Sequence, residues 1–269
     1  MNDTSPPANS DCPPKFYKYR SLSGDASGFV ERIICQHKIY FPPAISFNDP
    51  FDCRPTFCFE ATDEEIMSDY MRVARKHGPP MTDAVLRHDA MQMLADQNRN
   101  PRNQAVAAVI QDEHAKCITH NIGVFCVSTI NDDILMWSHY ADSHKGICLE
   151  FDGLGKLMAH AQKVFYTTER RSINPYRDDN VVAMEKTLLT KADHWSYERE
   201  WRLIAYKNGP GEQEFRMNNL TGIIFGAQAA PETVQKVITW VRSSASSIKL
   251  YQARISPRSF TLIIEDLKP

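Results

Sequence analysis

WSYEREWRLIAY, residues 195–206, is the stretch around which we expect the fold to be organised. Aromatic and aliphatic residues dominate its second half and a Gly-Pro-Gly turn follows, which predicts a strand over residues 197–206. Successive side chains of a strand point to opposite faces, so Glu198, Glu200 and Arg202 would share one face. Such a charged row is costly to cover unless its members pair or line a cleft. The alternative is a helix, in which Glu198 and Arg202 form an ordinary i,i+4 surface pair.

The composition is that of an ordinary globular protein, with 269 residues, 42% hydrophobic and 24% charged. A formal net charge of -2 provides no overall basic field that would recruit nucleic acid or an anionic membrane. The cysteines show no CxxC pair and no Cys/His ligand spacing, which argues against structural zinc and indicates reduced thiols. No apolar run approaches a membrane span or a signal peptide. We therefore expect a cytoplasmic protein without a membrane partner.

The pattern along the chain predicts a disordered lead over residues 1–14 and a single α+β domain over residues 15–269. The lead is polar and contains four prolines. Acid-capped segments rich in Met and Ala, separated by Gly-Pro and Asn-Pro breakers, predict a helical insertion at about 60–120. Strand patterns lie on both sides of that insertion, which favours mixed or antiparallel sheets over repeated βαβ units. No glycine-rich dinucleotide motif and no P-loop motif occurs.

The first predicted strand carries two basic candidates. KFYKYR, residues 15–20, alternates basic and aromatic side chains, so Lys18 and Arg20 would share one face with Tyr19 opposite. The alternative is a solvated edge strand in which lysine discourages further strand pairing.

A second candidate region joins a strand to a helix. GVFCVST, residues 123–129, predicts a strand, and a helix follows from about residue 132 to 141. Ser128 and Thr129 lie at this junction, where backbone amides and small hydroxyls suit anionic or ribose groups. The alternative role for Thr129 is a helix cap.

The segment SFNDPFDC, residues 46–53, is predicted to form a turn. The residue before proline is pushed out of the helical region, and the Asn and Asp side chains can bond to nearby backbone. A loop fixed in this way could also hold Asn48 or Asp49 at the wall of a site.

The blocks FYKYR, FNDPFDC, FCVST, MWSHYADSHKGICLEFD and WSYEREWRLI occur here in order, and together they resemble a bacterial family of unknown function. The chain also resembles, more distantly, the ADP-ribosyltransferase superfamily. Split sheets in that superfamily bind NAD between a basic or histidine residue, a Ser-Thr-Ser-like strand and a Glu-x-Glu. The matching positions are Arg20 or Lys18, then Ser128-Thr129, then Glu198-Arg199-Glu200. The first position holds no histidine, and the middle motif reads Ser-Thr-Ile.

This resemblance implies an α+β fold with split mixed or antiparallel sheets and a helical insertion. It implies NAD as the consumed substrate of an ADP-ribosyltransferase or NAD glycohydrolase, in the role of a bacterial toxin or phage-defence effector. Cleavage of the nicotinamide bond builds positive charge on the ribose, which a carboxylate can stabilise. We expect Glu200 to serve that role and Glu198 to orient or deprotonate an acceptor, which could be a protein, a nucleic acid or a small molecule.

The remaining candidates would bind the dinucleotide. Arginines bind pyrophosphate at two points, so Arg20 and Arg202 are predicted to hold it. Aromatic rings would sandwich the nicotinamide or adenine, although core packing is the alternative for those on the helix. The residues predicted to bind NAD are Lys18, Tyr19, Arg20, Ser128, Thr129, Trp137, His139, Tyr140 and Arg202.

Two other functions stay open from the sequence. One is a metal-dependent hydrolase or nuclease, because hard divalent cations take clustered carboxylates. Its candidate ligands are Asp49, Asp52, His139, Glu150, Glu198 and Glu200. The other is a non-catalytic module that binds a nucleotide or a partner through its acid-arginine surface.

Overall fold

The computed structural model describes residues 12–244 and 247–267. Most of the polar lead predicted over residues 1–14 therefore lies outside the described residues. The chain divides into two compact units. The first comprises the residues up to 43, residues 122–166 and the residues from 193 onward, and the second comprises residues 44–121 and 167–192.

The elements of regular structure are these. The helices are α1 (Ala26–Gln36), α2 (Asp63–His77), α3 (Asp83–Ala95), α4 (Gln104–Asn121), α5 (Ile134–Tyr140), α6 (Asn180–Leu188) and α7 (Pro231–Ser243). The strands are β1 (Lys15–Arg20), β2 (Lys38–Phe41), β3 (Thr56–Phe57), β4 (Gly123–Ser128), β5 (Ile147–Asp152), β6 (Gln162–Lys163), β7 (Phe165–Thr167), β8 (Ser172–Ile173), β9 (Thr190–Ala192), β10 (Glu200–Ala205), β11 (Gly211–Glu214), β12 (Leu220–Phe225), β13 (Lys249–Ile255) and β14 (Leu262–Asp266).

The first unit is built on a mixed sheet. Within the described residues it has eight strands in the order β14-β13-β12-β5-β1-β4-β10-β6. The β12–β13 pair is parallel, and the neighbouring pairs are antiparallel. A separate antiparallel ribbon joins β2 to β11. The α+β class with mixed sheets, predicted from the strand patterns, is confirmed.

The two halves of this sheet meet at one residue pair. β1 pairs with β5 from Lys15 to Arg20, and β4 pairs with β10 along its whole length. Between these halves, the only registered pair of β1 and β4 in the described chain is Tyr17 with Ser128. No further registered pair of described residues joins the two strands on the side toward Arg20 and Gly123, and we call this break in the pairing the fork of the sheet.

Apolar side chains cover both faces of the sheet. One face carries the larger core, in which Phe16, Phe125 and Trp201 pack with side chains of α1 and α7. The opposite face carries a smaller core, in which Tyr17 and Tyr19 pack with Met136 and Trp137 of α5, among others. The alternation of β1 between these two cores follows directly from the period of two in a strand.

The second unit contains the helices predicted at about 60–120. α2 packs on α3, and α4 packs against the short 3-10 turn at Ala44–Ser46. Thr62 caps α2 in a full capping box, because its side chain accepts from the backbone of Glu65 while the Glu65 carboxylate accepts from the backbone of Thr62. The parallel pair β3–β8 and helix α6 also belong to this unit.

The strand predicted over residues 197–206 is shorter in the structure. Asp193–Glu198 form a 3-10 helix and the strand begins at Glu200. Between them Arg199 has φ +44°, a left-handed conformation that is uncommon for a residue with a side chain. The prediction that Glu198 lies on the strand is therefore wrong, because this backbone reversal separates it from Glu200.

Candidate functional site

A row of polar side chains crosses four strands of the first unit. Glu150 of β5 is registered opposite Tyr17, Tyr17 is opposite Ser128, and Ser128 is opposite Glu200. Directly opposed residues of antiparallel strands project from the same face. All four side chains are buried, with exposed fractions of 9% or less. The structure thus brings two of the predicted site residues, Ser128 and Glu200, side by side.

Glu200 is held by Arg202 of the same strand. The Nε of Arg202 donates to Oε1 at 2.8 Å, and its NH2 donates to Oε2 at 3.0 Å. Arg202 is fully buried and Glu200 is 4% exposed. A two-point bond of this kind offsets the cost of burying both charges and fixes the carboxylate's orientation. Arg202 therefore positions Glu200, and because its guanidinium is engaged at two points with that carboxylate, it does not fit the predicted role at a pyrophosphate.

Glu198 is buried beside the same junction. Tyr140 donates its hydroxyl to Oε1 of Glu198 at 2.6 Å, which links α5 to the 3-10 helix. Ser128 donates its hydroxyl to the backbone carbonyl of Glu198 at 2.6 Å and accepts from the backbone N–H of Ile130 at 3.2 Å. The Ser128 hydroxyl therefore fixes the position of the acidic segment relative to the end of β4.

The cap of α5 is Asp133, whose carboxylate accepts from the backbone of Leu135 and Met136, both at 2.9 Å. The alternative in which Thr129 caps this helix is therefore wrong. Thr129 is half-buried between β4 and the cap.

The predicted aromatic residues separate into two groups. Trp137 is fully buried, donates its indole N–H to the carbonyl of Asn131, and contacts Tyr19 edge to face at 5.2 Å between ring centroids. Tyr19 is also buried and donates its hydroxyl to the carbonyl of Ile130. Both rings belong to the smaller core, so neither offers a face to a ligand.

The other aromatic group lies beside Glu198. The exposed ring of His139 lies within 6.5 Å of the rings of Tyr140, Trp195 and Tyr197, measured between ring centroids. The latter three are half-buried. Trp195 and Tyr197 stand in the quoted stretch, yet a strand assignment gives no reason to place them next to His139. Their contact depends on the 3-10 helix that carries them.

Lys18 and Arg20 project from the other face of β1. Their partners on β5 are Leu149 and Ile147, which belong to the larger core. Lys18 donates from Nζ to the carbonyl of Cys126 at 2.6 Å and thereby bridges the fork. Burial, with the nearby charge of Arg20, lowers the pKa of Lys18 to about 8.

Arg20 and the Ser128–Glu200 pair therefore start from opposite faces of the sheet. The Nε of Arg20 is buried and has no hydrogen-bond partner among the described residues. Burial lowers the pKa of the guanidinium.

The half-buried Cys126 adjoins this polar group on β4. It is registered opposite Arg202, on the same face as Ser128. Burial and the neighbouring Glu200 carboxylate raise the pKa of this thiol well above its usual value. A thiol in this state is protonated at neutral pH, so it is a weak nucleophile.

Arg199 is a further residue of this site that the sequence patterns do not predict to take part in it. It stands between the two buried acids, and its own side chain is exposed. The left-handed backbone at this position turns Glu198 and Glu200 inward on either side of it. The available sequence signal is the arginine between the two glutamates, which a strand assignment assigns to the opposite face.

The candidate metal ligands lie in separate places. Asp49 accepts from the backbone of Phe51 at 2.9 Å in the predicted turn of the second unit, where Asp52 lies 3.6 Å from Lys191. Glu150 of the first unit accepts from Lys15 at 2.9 Å. Within the part of the chain that the structure describes, no three His, Cys, Asp or Glu side chains are grouped as a metal site.

Residues 136–203 match a family described as a protein of unknown function, DUF2971. The match begins in α5 and ends in β10, so it contains Tyr140, Glu198, Glu200 and Arg202. It confirms the resemblance to an uncharacterised family. No curated protein and no solved structure matches the chain. None of the described helices combines the length and the apolar character that crossing a membrane requires.

Proposed function

We propose that the first unit consumes NAD by cleaving its nicotinamide–ribose bond and passing ADP-ribose to an acceptor or to water. The observation that carries this proposal is the direct pairing of Ser128 with Glu200 on neighbouring strands, next to β1. The three strands that bear the superfamily-like motifs are thus adjacent, at the point where the sheet forks.

Glu200 is the group proposed to face the ribose. As the bond from the ribose C1′ to the nicotinamide nitrogen breaks, its electron pair leaves with nicotinamide and positive charge builds on the sugar. A carboxylate fixed beforehand stabilises that charge without reorganising during the reaction. The two hydrogen bonds from Arg202 supply this fixed orientation.

Glu198 and Tyr140 are proposed to complete the transfer. The acceptor oxygen or nitrogen attacks the ribose C1′ and loses its proton to a base. Glu198 is the candidate base, and its 2.6 Å hydrogen bond from Tyr140 sets its position. The acceptor class, whether protein, nucleic acid, small molecule or water, does not alter this division of roles.

Ring and phosphate binding are assigned to the accessible residues of the site. The face formed by His139, Trp195 and Tyr197 replaces the buried Trp137 and Tyr19 as the proposed surface for nicotinamide or adenine. The exposed guanidinium of Arg199 is proposed to bind the pyrophosphate in place of the buried Arg202, because arginine binds phosphate oxygens at two points.

A non-catalytic nucleotide-binding module is the second candidate. It is favoured by one observation, which is that both carboxylates already accept strong hydrogen bonds from neighbouring side chains. In such a module these bonds serve the fold, and NAD binds without losing nicotinamide.

Nicotinamide release from NAD by the purified chain tests the proposal and separates the two candidates. Glu200→Gln keeps the shape of the side chain and removes its charge, so we expect at least a ~100-fold loss of release rate with NAD affinity changed by less than ~3-fold. Glu212→Gln is the matched control. Glu212 also pairs with an arginine, Arg32 of α1, but it lies on the separate ribbon of β2 and β11.

Folding is checked in the same experiment, because removing the charge of Glu200 leaves Arg202 buried without its partner charge. The double variant Glu200→Gln and Arg202→Met removes that problem and should recover thermal stability while staying inactive. The enzymatic proposal is contradicted if the wild-type chain releases nicotinamide no faster than buffer alone and transfers no label from NAD to lysate components. Saturable NAD binding under those conditions then supports the non-catalytic module.

A further inference from the structure

A cavity in the first unit lies away from the acidic row. Its volume is about 340 Å³, and it is bounded by β10, by the segment from β11 to the 3-10 turn at Met217–Asn219, and by the turn around Lys156–His160. It contains none of the residues assigned above to NAD binding or catalysis. A volume of this size is at the lower end of the range for small-molecule sites and suits a ligand of the size of a nucleoside monophosphate.

The floor of the cavity is apolar and rigid. Phe41 and Leu203 belong to the larger core and are 4% and 5% exposed. Phe215 is packed edge to face against Phe151 at 5.9 Å and against His37 at 5.8 Å, both between centroids. Rings held in this way present a flat apolar surface whose shape is fixed before a ligand arrives, which lowers the cost of binding.

The rim of the cavity is basic. Lys156, His160 and Arg216 line it and are exposed, and Glu214 is the one acid among the lining residues. None of the three bases forms an ion pair within the described ranges 12–244 and 247–267. Two cations at one opening, Lys156 and Arg216, neither of them in an ion pair among the described residues, favour an anionic ligand group.

Two amide side chains lie below this rim. The Nε2 donor of Gln213 is buried and has no hydrogen-bond partner among the residues that the structure describes. Asn219 is 3% exposed and also lines the cavity. A buried donor without an acceptor costs free energy, and a ligand carbonyl, ring nitrogen or phosphate oxygen would remove that cost.

We propose that this cavity binds a phosphomonoester of the size of a nucleoside monophosphate. The ring lies against the half-buried Phe215, with the core side chains of Phe41 and Leu203 behind it. The phosphate meets Lys156 and Arg216, and the Gln213 amide donates to the ligand. No residue assigned to NAD binding or catalysis lines this cavity, so this site is separate from the NAD-consuming site and does not rest on that function.

Calorimetric titration of the full chain with AMP tests the site, with adenosine and inorganic phosphate as the two halves of the probe. We expect saturable AMP binding with Kd below about 1 mM, and at least ~10-fold weaker binding of either half alone. Lys156→Gln with Arg216→Gln should weaken AMP binding at least ~10-fold. The matched control is Lys207→Gln with Arg258→Gln, which removes the same charge from exposed positions outside this cavity and should leave Kd within ~2-fold.

Gln213→Met provides a readout that general charge effects do not reproduce. The change removes the unpartnered donor but keeps the length of the side chain, so it should raise the melting temperature without ligand and weaken AMP binding. Absence of AMP binding up to about 5 mM overturns the proposal. Equal weakening in the Lys207/Arg258 control, or equal affinity for phosphate and AMP, also overturns it.

Discussion

Glu200 and Arg202 stand two residues apart on β10, and this spacing places both side chains on one face, where they form a buried two-point ion pair. The pair follows from the strand period alone, since no loop or second element is needed to bring the charges together. The residues registered opposite Glu200 and Arg202 on β4 are Ser128 and Cys126, respectively. Two members of the charged row predicted from the sequence, Glu200 and Arg202, therefore pair with each other.

Removing one member of this pair should destabilise the fold. Arg202→Met leaves the Glu200 carboxylate buried without its partner, so we expect the free energy of unfolding to fall by about 3 to 5 kcal/mol. Urea unfolding followed by tryptophan fluorescence measures the loss. The double variant Glu200→Gln and Arg202→Met should recover at least half of it, and a double variant no more stable than Arg202→Met would contradict the ion-pair explanation.

Tyr140→Phe should affect Glu198 specifically. It removes the hydroxyl that donates to Glu198 at 2.6 Å, and leaving a buried carboxylate short of a donor costs about 1 to 3 kcal/mol. Under the proposed function kcat for nicotinamide release should fall more than KM rises. Tyr206→Phe is the control, because the exposed Tyr206 hydroxyl accepts a single 3.3 Å bond from Gln162. A KM effect alone would assign Tyr140 to binding.

Lys18 should give the fold a pH dependence in the alkaline range. Its pKa is about 8 in the folded chain, against about 10.4 in an unfolded chain. Between these values the unfolded state binds more protons, so this group adds stability as pH rises. Wild type should therefore gain stability relative to Lys18→Met from pH ~8 to pH ~10. Chemical unfolding at several pH values measures the difference, and a difference independent of pH would show that Lys18 is not desolvated at the fork.

The capping box of α2 should be worth more than a simple cap. Thr62 bonds reciprocally with Glu65, whereas Thr82 only accepts from the backbone of Val85, at 3.4 Å. Thr62→Ala should therefore cost about 1 to 2 kcal/mol, and Thr82→Ala clearly less. Hydrogen exchange of the first turns of α2 and α3 reports each loss locally, and equal losses would argue against the extra bond.

Sequence patterns predicted the strands and helices better than their faces and ends. Local residue patterns correctly placed β1, β4 and β10 within a few residues, because that signal is local. Residue patterns could not show that Arg20 and Glu200 start from opposite faces of the sheet, because the face on which a side chain lies depends on register with distant strands. The 3-10 helix before β10 was missed as well, since the left-handed Arg199 that ends it is not a glycine or asparagine.

The candidate site was partly visible in the sequence. Ser128 and Glu200 are distinctive because a hydroxyl and an acid interrupt otherwise apolar strands, and the structure pairs them. Glu198 is distinctive as the first acid of the Glu-Arg-Glu sequence, and its backbone carbonyl accepts from Ser128. Trp137 and Tyr19 are aromatic residues of the kind that bind rings, but both pack in the smaller core. Periodicity alone does not show whether an aromatic face is buried or exposed. The role of Arg202 as a partner of Glu200 depends on burial, which is a property of the whole fold.

β1 precedes the other strands of the sheet in the chain, yet it lies in the middle of the sheet with β5 on one side and β4 on the other. Its partner β4 gains its second neighbour only when residues 200–205 have been made. A growing chain must therefore leave these strand edges unpaired until β10 has been made, which exposes it to self-association and to chaperones. Premature termination before Glu200 should yield an insoluble product, whereas loss of the peripheral β14 should be tolerated better.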